Sequence, residues 1–348
     1  MKLTAALVAI LTGTANGCGF HLNAKRASPS NGGNIPYSIE RLTDTTHLVV
    51  HNDEYIEYPF IYVKRYPKIP LTVVVDTGVG GEYHANGTSS IELKAFIEKE
   101  LGFTEAEKSE YMVLSSHVHF DHIGGMEPFA QSGAEIVSSS YNKSFVAPQN
   151  RAANALTTAF GVKTPQYTIS KYADQHERLS YKGVDLGLIA LHTPGHTPDS
   201  QAYYDEGERW IYTGDTLYKR VVKLPWDTQD VPIILPLQGN WTEFVASIEE
   251  LYAFVKEKDR GFSKDKRVKI GAGHTTAGVE AADTIKNALK FIQNVEKGKV
   301  PVIAKVPGDE VAPGGTLGDA EFWYWQADGN PEFSLLAPES FRSEFNHK

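Results

Sequence analysis

His117-Val118-His119-Phe120-Asp121-His122 places four potential metal ligands within six residues, where the short apolar run 111–114 gives way to a polar loop and then to Gly124 and Gly125. A neutral imidazole offers a cation a nitrogen donor and a carboxylate offers an oxygen. At this spacing one backbone turn can aim ligands at two neighbouring ions. Taken alone, the stretch could also be a solvated polar loop.

Three later segments have the same form, a strand running into a turn that carries a ligand. In His192-Thr193-Pro194-Gly195-His196, Pro and Gly fix a sharp turn that presents His196, while His192 reads as the end of the strand. Gly214-Asp215-Thr216 follows the strand pattern 210–212, and Gly273-His274 follows 268–270. A histidine after glycine is commonly structural, and an aspartate at a strand end is commonly a turn or helix cap. It is the ordered series of four that argues for a metal centre.

The rest of the chain supplies the scaffold for these turns. Apolar and aromatic runs predict strands at 47–50, 58–63 and 71–75, the last ending at Asp76-Thr77-Gly78, and again at 186–191 and 201–204. Helical spacing predicts helices at 90–101, 242–256 and 279–295. Two strand-rich halves, each trailed by helices, point to the α/β (α+β) class with sheets flanked by helices. Residues 141–181 have weak periodicity and read as a partly helical lid or insertion.

The 348 residues divide into a segment 1–17, a Pro, Ser and Gly-rich lead-in 18–40, a main domain 41–300 and an extension 301–348 packed on it. Met1-Lys2 followed by an apolar run too short to span a bilayer has the form of a secretory signal, with Ala15 and Gly17 suited to cleavage before Cys18. The alternative is an apolar N-terminal helix. A secreted or extracytoplasmic protein without a stable membrane span is expected. Cys18 is the only cysteine, so there is neither a disulfide framework nor a thiolate ligand further along. A net charge of -9 lacks the footprint of a nucleic-acid partner.

The four ligand segments, in order and spacing, resemble the metallo-β-lactamase superfamily over residues 45–297. The resemblance implies a four-layer αββα sandwich with metals in a groove along one edge. It implies two zinc ions, one on His117, His119 and His196, the other on Asp121, His122 and His274, with Asp215 bridging. Asp76 matches an aspartate that orients ligands in the family, although a plain turn residue is the competing reading. The resemblance also gives Asp121 a catalytic role as proton relay beside a hydroxide that bridges the zinc ions.

Departures from relatives narrow the expected chemistry. With Asp215 at the intervening position and no thiol after residue 18, penicillin hydrolysis is disfavoured; without a flavin domain, and with His119 where flavodiiron proteins carry glutamate, so is oxidoreduction. Tyr218, three residues past Asp215, stands where N-acyl-homoserine lactonases carry a tyrosine facing the substrate carbonyl, so it is either an oxyanion donor or a packed core residue. Residues 224–237 are apolar enough to line a pocket or form a flap. The expectation is a hydrolase opening a small lactone or related cyclic ester or lactam. A thioesterase like glyoxalase II or acyl-CoA hydrolases, a β-lactamase or phosphotriesterase, and a noncatalytic metal-binding module are the alternatives.

Overall fold

The computed structural model describes residues 36–53, 55, 57–80, 92–103, 110–223, 228–311, 319–329 and 331–345. The expected signal segment 1–17, the lead-in up to residue 35, the start of the helix expected at 90 and the proposed pocket residues 224–227 lie outside them. No helix among the described residues is long and apolar enough to cross a membrane.

Seven strands form the first sheet in chain order: β1 (Tyr37–Arg41), β2 (Thr46–His51), β3 (Phe60–Tyr66), β4 (Leu71–Val75), β5 (Glu110–Leu114), β6 (Glu135–Ser139) and β7 (Lys171–Ala173). The second sheet uses β8 (Arg178–Tyr181), β9 (Val184–His192), β10 (Gln201–Asp205) and β11 (Trp210–Gly214). After a two-stranded ribbon, β12 (Val221–Lys223) with β13 (Thr228–Asp230), and the short β14 (Ile233–Ile234), the second sheet is completed by β15 (Lys269–Ala272) and β16 (Ala277–Glu280).

The two-residue period of the strands dictates the layers. Leu48, Val50, Tyr62, Val73, Val75, Met112 and Leu114 turn one way and meet Leu188, Ala190, Tyr203 and Tyr212 of the other sheet. Their sequence neighbours Val49, Ile61, Val63, Val74 and Val113 turn the other way, onto Phe96 and Ile97 of the helix Leu93–Glu100 and onto Phe129. On the far side, Ile189, Leu191, Ala202, Tyr204, Ile211 and Ile270 pack on the helices Trp241–Lys258 and Ala281–Glu296. The result is helices, sheet, sheet, helices, the four-layer αββα arrangement.

Two segments do more than their sequence pattern suggests. The insertion 141–181 holds the helices Pro148–Asn154 and Thr157–Phe160, but its second half supplies β7 to one sheet and β8 to the other. Those strands have three and four residues, too few for an alternating pattern to stand out. The extension contributes β17 (Val302–Pro307), β18 (Glu321–Gln326) and β19 (Ser334–Pro338), with β19 pairing in parallel to β14. Trp325, Phe333, Leu335, Ala337 and Phe341 enter the same core as the two long helices, so this sheet is built into the domain.

Parallel pairing gathers the turns that matter. β4 lies parallel to β5 with Val75 opposite Leu114, which puts Asp76 beside the 115–122 loop. β11 lies parallel to β15 with Gly214 opposite Ala272, which puts Asp215 beside His274. The sheets are joined at this edge, where the Phe60 amide donates to the Gly273 carbonyl at 2.7 Å and the Gln201 amide to that of Ser116 at 2.8 Å.

Candidate metal centre

All seven expected ligands converge at that edge in two groups, His117, His119 and His196, and Asp121, His122, Asp215 and His274. Within each group the ligand atoms lie within 4.8 Å of one another, and every one of these residues is buried. Asp215, a member of the second group, also approaches the first. Its Oδ1 lies 3.3 Å from His122 Nε2, and its Oδ2 lies 3.4 Å from His274 Nε2, 3.8 Å from His196 Nε2 and 4.0 Å from His117 Nε2. Asp121 Oδ2 closes the second group at 3.3 Å from both His122 Nε2 and His274 Nε2.

The outer nitrogen of every imidazole is engaged away from the centre, and this selects which nitrogen faces inward. His117 Nδ1 donates to Ser116 Oγ at 3.0 Å, and that hydroxyl in turn donates to Asp76 Oδ2 at 2.7 Å. His122 Nδ1 donates to the same Asp76 oxygen at 2.9 Å. His196 Nδ1 donates to the Ile234 carbonyl at 2.7 Å, His274 Nδ1 to the Glu57 carbonyl at 2.8 Å, and His119 Nε2 to Gln238 Oε1 at 3.1 Å.

In the first group the inner nitrogens are thereby left as lone pairs. His119 Nδ1 stands 3.0 Å from His117 Nε2 and 2.9 Å from His196 Nε2 with no proton to share. Buried acceptors turned on one another are costly unless a cation lies between them. The donor set therefore fits a pair of metal ions.

Glycines permit the approach. A Cβ on Gly273 would stand 2.2 Å from Asp215 Oδ1 and 2.7 Å from His122 Cε1, so only glycine lets the turn after β15 pass this close to the Asp215 carboxylate. Asp76, at φ 61°, also accepts from the Ser116 amide at 2.7 Å and so joins the end of β4 to the ligand loop. Of the residues that orient the ligands, Ser116 adjoins the motif, but nothing in the sequence marks Gln238 or the carbonyls of Ile234 and Glu57.

Electrostatics divide the two groups. Burial lowers the His117, His119 and His196 imidazoles, the last to about 3, so these three are neutral. Burial acts the same way on His122 and His274, but the Asp121 and Asp215 carboxylates outweigh it and hold both well above the ordinary imidazole range. Burial likewise favours neutral Asp121 and Asp215, and the charges of His122 and His274 overcome it, keeping both carboxyls well below theirs. Cation binding requires neutral imidazole. Metal uptake should accordingly release protons, and the half containing His122 and His274 should empty first as pH falls. Metal per chain after equilibration between about pH 8 and 5 checks this; simultaneous loss from both halves would contradict it.

Tyr218 is buried, with its ring in edge contact with His274 at a centroid distance of 5.4 Å, and burial raises its phenol well above the ordinary value, so it is neutral and able to donate. His192, at the end of β9, turns away from the cluster and meets the Ala173 carbonyl at 2.9 Å.

Residues 71–260 match the metallo-beta-lactamase superfamily, and the chain belongs to that family of hydrolases. It is 26% identical over 276 residues to avaE of Aspergillus versicolor, a protein whose name ascribes to it a transcription-factor role; the match covers 76% of this chain and 78% of that one. It is 25% identical over 223 residues to the acyl-coenzyme A thioesterase MBLAC2 of Homo sapiens, covering 60% of this chain and 71% of the relative. With the cytoplasmic hydroxyacylglutathione hydrolase of Arabidopsis thaliana it shares 28% identity over 199 residues, 55% of this chain and 61% of the enzyme.

Proposed function

We propose that the chain hydrolyses small activated carboxylic esters, thioesters foremost, at a centre holding two zinc ions. The observation that carries this reading is the position of Asp215, whose two oxygens reach both ligand groups. A closed structural site needs four ligands. Seven ligands that share one carboxylate are instead the donor set for two neighbouring cations, and imidazole with carboxylate suits zinc. When bound, such a pair supplies Lewis acidity toward a carbonyl oxygen and an activated water near neutral pH.

The chain's own groups would then orient and move protons. Asp121, whose Oδ2 faces His122 and His274, is placed to accept a proton from the attacking water and pass it to the leaving group. A thiolate leaving group needs little such help, since a thiol is far more acidic than an alcohol. The human relative named for acyl-coenzyme A and the plant relative named for hydroxyacylglutathione support a thioester substrate.

A lactone is the second reading, supported by the neutral phenol of Tyr218 beside His274, where it could donate to the oxyanion of a ring-opening reaction. Acyl-coenzyme A, acylglutathione, γ-lactone, β-lactam and phosphotriester substrates, each run with a chelator-treated control, separate the possibilities. The thioesters are expected to give the highest kcat/KM. A lactone preference of about tenfold or more, with Tyr218→Phe lowering kcat about 10²-fold at little change in KM, would replace the thioester reading. Two bound metals with no turnover on any substrate would favour a noncatalytic metal-binding module. The cationic, apolar start of residues 1–17 supports export, and a mature chain beginning at Cys18 would bear that out.

A further inference from the structure

Four of the five ligand histidines are held by groups close to the ligand loop or by backbone: His117 by Ser116, His122 by Asp76, and His196 and His274 by the carbonyls of Ile234 and Glu57. His119 is different. Its outer nitrogen is held by the side chain of Gln238, a residue 119 positions away. The Gln238 amide has one orientation that satisfies both of its neighbours, with Oε1 accepting from His119 Nε2 at 3.1 Å and Nε2 donating to the Asn154 carbonyl at 3.3 Å.

Asn154 ends the helix Pro148–Asn154 in the insertion, where the last carbonyls of a helix lack intrahelical partners. The next carbonyl, that of Ala155, accepts from the Phe120 amide at 2.9 Å, in the middle of the ligand loop, and the Phe120 ring stacks on Phe160 of the insertion at 4.3 Å. The turn carrying Gln238 is tied equally firmly to the second histidine segment. The Asn240 amide donates to the Gly195 carbonyl at 2.9 Å, and a Cβ on Gly239 would stand 2.6 Å from that same oxygen.

We infer that Gln238 is the positioning residue of His119, and that the C-terminal end of the helix Pro148–Asn154 holds both Gln238 and the ligand loop in place. The insertion is then part of the first metal site and not a cover laid over it. The carboxamide keeps the proton of His119 on Nε2, so that Nδ1 is always the nitrogen offered to the cation. The inference rests on the metal centre proposed above and is independent of the substrate.

The test uses the full chain, with zinc affinity measured by competition against a chromophoric chelator. Gln238→Met keeps the length of the side chain but removes acceptor and donor; Gln238→Glu keeps an acceptor for His119 and loses the donor to Asn154. Gln238→Met is expected to weaken one zinc about 10–100-fold and leave the other unchanged, while Gln238→Glu weakens the same zinc only a few-fold, the part owed to the lost tie to Asn154. Thermal unfolding of the chelator-treated Gln238→Met and wild-type chains should coincide. Wild-type affinity for both metals in Gln238→Met would overturn the inference, as would an equal loss in Gln238→Glu or loss of both metals together with the fold. Failure of the wild-type chain to bind two metals would instead overturn the centre itself.

Discussion

Asp215→Ala is expected to yield a folded chain that retains at most one metal and less than about 10⁻³ of the wild-type hydrolytic rate. Among the described residues the carboxylate is the one side chain whose oxygens reach histidines of both ligand groups, so its removal takes a donor from each ion at once. The cores that hold the sheets and helices together contain none of the seven ligands, so the architecture should survive. Elemental analysis, circular dichroism and turnover of the preferred substrate measure the three parts separately. Wild-type turnover in this variant would remove the basis of the assignment.

The second large effect concerns the scaffold. Gly195→Ala is expected to destabilise the protein by about 3–5 kcal/mol and to weaken metal binding through His196. Gly195 has φ 138°, a conformation L-residues rarely adopt, and a Cβ there would lie 2.2 Å from Phe244 Cα and 2.4 Å from its nitrogen. Both atoms belong to the backbone of the helix Trp241–Lys258, which Trp241, Phe244, Ile248, Leu251 and Val255 anchor in the core. The helix cannot yield, so the turn must, and it carries His196 with it. Denaturant unfolding of metal-loaded and chelator-treated protein reports both consequences. An unchanged midpoint would show that the turn has more freedom than its packing implies.

The ligand segments were legible because each is local. An apolar strand ends, the chain turns, at a glycine or proline in three of the four segments, and a histidine or aspartate follows within a few residues. The long strands and helices were legible for a similar reason, since their buried faces repeat often enough for the period to emerge. Strands β7 and β8 escaped because three or four residues cannot establish a period. The extension was harder still. Its Trp325, Phe333 and Leu335 are buried by helices and by β14, all far earlier in the chain, and no local pattern encodes that partnership.

The amino-acid sequence by itself determined the chemical type of the centre: imidazoles and carboxylates, no thiolate after residue 18, and Asp215 at a strand end between the last two histidine segments. Tertiary structure decided which nitrogen each histidine offers, because that depends on what accepts the other nitrogen's proton, and for His119 and His274 the acceptor lies 119 and 217 residues away. Donor identity is a property of the residue, whereas tautomer and aim belong to the packing around it.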